Sequence, residues 1–125
     1  MNLNYLPDEF LVEYGPILHP NEGFTVGLKG QTLIYLPGTY EAKEKMINPI
    51  KSKWKNFWDE VEDLGLWDWE QEYHLCCLDG TGWKIKIEYN GKEVDSVGQN
   101  HYPANFLNFF DALEELISLE LKLDF

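Results

Sequence analysis

Few side chains in this sequence have the type and spacing that chemistry demands. His74, Cys76 and Cys77 lie close together, and His101 follows further on. Imidazole and thiolate are common zinc donors, so these residues are the first candidates for a metal site. The spacing argues against it. H-x-C-C lacks the usual C-x-x-C pair, and in a strand residues 74 and 76 share a face that 77 does not. A strand with two incidental thiols is the better reading, and no metal or cofactor is expected. Asp79 precedes Gly80. A carboxylate there could do acid–base work, but Asp-Gly is equally a turn dipeptide. No serine, histidine or arginine stands with it in a catalytic motif, so the chain is not read as an enzyme.

The stretch "SVGQNHYPANFLNFFDAL", Ser96 to Leu113, poses a second question. Small polar residues lead into an aromatic helix, and a helix N-terminus with His101 beside it could hold an anion. Each residue also has a structural use. Gly98 allows a close backbone approach, Asn100 bonds local backbone in a turn, and Pro103 suits a first helical turn. The structural reading is preferred.

The acidic run is the strongest functional signal. Residues 57–72 hold Asp59, Glu60, Glu62, Asp63, Asp68, Glu70 and Glu72 without one lysine. A solvated face is the plain account. The sharper account is a docking surface for a basic protein partner, with Trp67 and Trp69 as anchors, since tryptophan is enriched at binding hot spots. Glu60, Asp63, Trp67, Trp69 and Glu70 are its candidate residues.

Composition limits the classes further. The chain of 125 residues carries a net charge of -12, and all ten basic residues are lysines. Phosphate and base-edge recognition lean on the arginine fork, so nucleic acid is not an expected partner. No apolar run reaches the ~20 residues of a membrane span, so no membrane association is expected. The start, "MNLNYLPDEFLVEYG", lacks the basic residue and apolar core of a signal peptide. Cys76 and Cys77 are neighbours, which strains a mutual disulfide, and free thiols fit a reducing compartment. A cytoplasmic location is expected.

The elements that must position these groups follow from periodicity. "DEFLVEYG" alternates as a half-buried strand, and "GFTVGLKGQTLIYLPG" reads as a hairpin turning near Lys29-Gly30. Residues 38–48 read as a loop. Pro49 opens a helix whose stripe is Trp54, Phe57, Trp58, Val61 and Leu64, with Gly65 as C-cap. "DGTGWKIKIEYNGKEVDSVG" is a second hairpin around Asn90-Gly91. Pro103 begins a second helix with Phe106, Phe109, Phe110, Leu113, Leu116 and Ile117 as its stripe. The tail "ISLELKLDF" alternates again and predicts a short terminal strand. The expected fold is α+β: one domain over 1–125, with an antiparallel sheet of about five strands in the order β-β-β-α-β-β-α. Both helices should pack on one face. "WKNFWDEVEDL" (54–64) aligns without a gap with "FLNFFDALEEL" (106–116). Duplication of a unit over 23–65 and 82–117, or convergence of two amphipathic helices, would give the same packing.

Trp67, Trp69, Asp79, Gly80, Trp83, Gly98, Asn100, Tyr102, Pro103, Asn105 and Phe106 form a pattern, W-x-W … D-G-x-x-W … G-x-N-x-Y-P-x-N-F. The pattern resembles that of a small bacterial family of domains of unknown function. The resemblance covers most of residues 50–118. It supports the fold and implies no activity. Two function classes lead. One is a small acidic protein-binding module, of which a toxin-neutralising immunity-type protein is the concrete version. The other is a non-catalytic accessory domain holding a small ligand on the open sheet face. A neighbouring gene for a secreted basic toxin would favour the first, and a deep apolar pocket with convergent polar groups the second.

Overall fold

The structure is a computed structural model and describes residues 4–16, 23–38, 43–73, 80–121 and 123. Strand β1, Glu9–Pro16, lies at the centre of a sheet. The hairpin β2–β3, Phe24–Lys29 and Thr32–Pro37, pairs along one side of it, and β4, Lys45–Ile47, closes that edge. The hairpin β6–β7, Thr81–Tyr89 and Lys92–Gln99, pairs along the other side. There β5, Glu72–Tyr73, closes the edge, so the sheet order is β4-β3-β2-β1-β6-β7-β5. The period of two decides which residues face inward. Phe10, Val12 and Tyr14 of β1, Val26 of β2, and Ile85 and Ile87 of β6 are buried on one face. The charged residues Lys84, Lys86, Glu88, Glu93 and Asp95 alternate with the buried positions of β6 and β7.

Helix α1, Lys51–Leu64, and helix α2, Phe106–Ile117, both cover the buried face. Phe10 meets Trp54 and Phe57 of α1, while Tyr14 and Phe24 meet Phe110 of α2. Phe57 and Phe109 touch edge to face across the two helices, with ring centroids 6.0 Å apart. The α+β class and the one-sided helices are those expected. Asn90 and Gly91 both take positive φ, 52° and 78°, as the tight hairpin turn requires. Gly65 ends α1 in the left-handed conformation. Among the described residues no helix is long and apolar enough to cross a membrane.

Three expectations need correction. Among the described residues the sheet has seven strands, not about five, because β4 lies in the stretch read as a loop and β5 begins on the last residue of the acidic run. Strands of two or three residues are too short to display a period. The sheet is also mixed: β5 runs parallel to β7, with Glu72 opposite Val97 and Tyr73 opposite Gly98. The tail, finally, forms no strand over 119–121. Ser118 adopts a left-handed cap with φ 57°, and the chain folds back so that Leu121 is buried. Leu121 N–H donates to the Glu114 carboxylate at 2.7 Å. The alternating leucines pack on the core without sheet pairing. Both helices begin slightly later than their prolines suggest. Pro49 precedes the N-cap Ile50, and Pro103 begins a turn that leads to Phe106.

Candidate docking groove between the helices

The two helices run antiparallel, which follows from how their ends are joined. Asn105 at the start of α2 donates its side-chain N–H to the carbonyl of Leu64 at the end of α1, 2.7 Å away. Lys53 near the start of α1 donates to the Glu115 carbonyl and the Ser118 hydroxyl at the end of α2. Each helix thus satisfies carbonyls that the other leaves open at its C-terminus. The apolar stripes face the sheet, so the polar sides flank a seam on the outer surface.

That seam opens into a groove of about 970 Å³. Six carboxylates line it: Glu60 and Asp63 from α1, Asp111, Glu114 and Glu115 from α2, and Glu120 from the tail. Among the described residues no lysine lines it. Burial, above all, pushes the Glu60 carboxyl up to about 7, helped by a hydrogen bond with Glu115 and by the charges of Glu115 and Asp111. The charges oppose helix stability. Asp111 and Glu115 are like charges four residues apart, and Glu62, Asp63, Glu114 and Glu115 sit in the last turns, where the helix dipole favours cations.

Of the five residues proposed from sequence, two come to the groove. Glu60 and Asp63 both line the groove, whereas Trp67, Trp69 and Glu70 do not. The Trp67 ring packs parallel to Trp58, and its Nε1–H donates to Glu62 at 2.8 Å. Trp58 in turn stacks flat on Tyr89, with ring centroids 3.8 Å apart. Trp69 packs against Trp83, Phe106 and Phe109 at the margin of the core. Both tryptophans are half-buried, so their rings stabilise the fold. Glu70 uses its backbone: its N–H donates to the Tyr73 hydroxyl, and its carbonyl accepts from buried Ser96. Glu62 leaves the acidic face by pairing with Lys92 at 2.9 Å. Hydrogen bonds from Lys92 and Trp67 hold its carboxyl below the usual range.

Four groove carboxylates, Asp111, Glu114, Glu115 and Glu120, were absent from the sequence reading. The signal for the first three is the D-x-x-E-E run in the second helix, which means little until the two helices lie side by side; Glu120 comes from the tail. His74, Cys76, Cys77 and Asp79 lie outside the described residues.

The stretch from Ser96 to Asn105 is built into the fold. Asn100, at φ 59°, exchanges bonds with Thr81: its N–H donates to the Thr81 carbonyl and its Oδ1 accepts from the Thr81 N–H. Trp83 Nε1–H donates to the His101 carbonyl at 2.8 Å. A Cβ on Gly98 would lie 2.5 Å from that indole nitrogen, which is why only glycine fits under the ring.

On the open sheet face a smaller hollow of about 620 Å³ forms where Gly15 and Gly82 pair without side chains. Glu13, Thr25, Lys84 and Gln99 surround it. No protein-family model and no curated protein matches the chain.

Proposed function

We propose that this chain is a small acidic, non-catalytic binding module of the cytoplasm. In this reading the groove between α1 and α2 docks a basic protein, and a toxin-neutralising immunity-type protein is the concrete version. One observation carries the reading. Six carboxylates gather in a groove where they oppose each other, and Asp63, Glu114 and Glu115 also oppose the helix dipoles. Charges that cost the fold stability and are left unneutralised are suited to a cationic partner, whose approach they would accelerate.

The test is parallel capture from native lysate, with wild type and the Asp63→Lys/Asp111→Lys variant as baits at low and high salt. A basic protein retained by wild type, lost by the variant and released by salt supports the reading. Equal retention by both baits rejects it. The hollow beside Lys84 favours the second class, a small polar ligand on the open sheet face. A ligand that raises the melting temperature of wild type and of the groove variant, but not of Lys84→Ala, would decide for that class.

A further inference from the structure

The helix pair is tied at both ends, and acidic groups oppose each other along it. Lys53 and Asn105 make the end ties. Beside the Lys53 tie, Glu60 of α1 and Glu115 of α2 line the groove together and also share a smaller cavity of about 250 Å³. Two ionised carboxylates at such a site repel, and the partial burial of Glu60, beside an exposed Glu115, makes the repulsion harder to screen than in open solvent. A single proton held between them converts the repulsion into a hydrogen bond.

We propose that Glu60 and Glu115 form a proton-operated latch: with one shared proton the helix seam is closed, and loss of that proton drives the seam apart. The latch goes beyond partner docking and operates in the isolated chain. Among the described residues most charged groups around the pair are acidic, and Lys53 is the cation that shares its smaller cavity. From α2, Asp111 adds a third negative charge, and Asp63 of α1 and Glu114 and Glu120 add to the same groove. Lys53 of α1 shares the smaller cavity, but its donors are directed to the Glu115 main-chain carbonyl and to Ser118. Asn56 and Ser118, the other polar neighbours there, are uncharged.

The direction of the pH effect follows. The Glu60 carboxyl is raised from the ordinary 4.5 to about 7 in the folded chain. Between those values the folded state holds more protons than the unfolded state, so stability falls as pH rises. Above the folded value both states are ionised and the effect levels off.

The experiment is denaturant unfolding of wild type, Glu60→Gln and Glu115→Gln between pH 4.5 and 8.5. Carbon-13 NMR titration of the Glu60 carboxyl in wild type accompanies it. In the difference between wild type and Glu60→Gln, the unfolding constant should rise severalfold per pH unit up to neutrality, about tenfold being the limit for one proton. Glu60 should titrate near neutrality in wild type and lower, though still raised by burial, in Glu115→Gln. Hydrogen exchange, corrected for its intrinsic pH dependence, should show α1 and α2 amides opening more readily at pH 8 than at pH 5.5. Parallel pH profiles for wild type and Glu60→Gln, or a Glu60 carboxyl titrating in the ordinary range, would overturn the latch. If Glu60→Gln fails to fold, the wild-type titration and exchange decide alone. An ordinary Glu60 titration or pH-independent exchange would then reject it.

Discussion

At the turn from β7 into α2, polar groups meet opposite polarity: Asn100 exchanges bonds with Thr81, and Trp83 donates to the His101 carbonyl. In the groove between α1 and α2, acidic groups meet acidic groups: Glu60 faces Glu115 and Asp111. Both regions carry residue types suited to a site, yet they differ in what their side chains do for the fold. At the turn the polar residues complete local backbone structure. In the groove Glu114 also accepts the Leu121 N–H, but the like charges of the helical carboxylates oppose the helices that carry them. A residue type alone does not separate the two cases; the sign of its energetic contribution does.

The comparison breaks first if the turn tolerates change. Trp83 is buried and anchors the turn through His101, so Trp83→Ala should destabilise by ~3–5 kcal/mol in denaturant unfolding. Gly98→Ala forces a methyl against the same indole and should cost ~1–3 kcal/mol. Asn100→Ala loses the bond to Thr81 and should cost about 1–2 kcal/mol. Asn100→Gly retains access to the positive φ and isolates the side-chain bond, so the two Asn100 variants measured together separate hydrogen bonding from backbone preference. If all these variants unfold like wild type, the turn is not scaffold.

How much of this was legible in the sequence depended on range. The β6–β7 hairpin could be read because Trp83, Ile85 and Ile87 alternate with lysines and Asn90-Gly91 marks the turn. The helices could be read from their aromatic stripes. Strand β4 could not, because Lys45–Ile47 is an exposed edge segment with no period to detect. The parallel seat of β5 beside β7 depends on pairing between distant residues, which local pattern does not encode. The tail misled because burial of Leu121 and half-burial of Leu119 and Leu123 produce the same alternation as a strand.

The site followed the same logic. Glu60 and Asp63 stood out within an acidic run, but that run divides in space. Glu62 turns to Lys92, Glu70 serves through its backbone, and Trp67 and Trp69 pack on the core. The other half of the groove comes from α2, and only the docking of the helices brings it near. Lys53 and Asn105 each stand one residue before the aligned helical segments, and each ties the end of the opposite helix.

The smallest expected effect is also the most direct, because its sign is the claim. The Asp111→Asn/Glu115→Gln variant removes two groove charges while keeping shape. Denaturant unfolding of this variant and wild type at pH 8 and low ionic strength compares the folds with Glu60 mostly ionised. Relief of the like-charge pair and of the helix dipole should stabilise the variant by roughly 0.5–1 kcal/mol, and added salt should shrink the gain. A variant less stable than wild type would contradict the account, because the groove carboxylates would then serve the fold as the turn residues do.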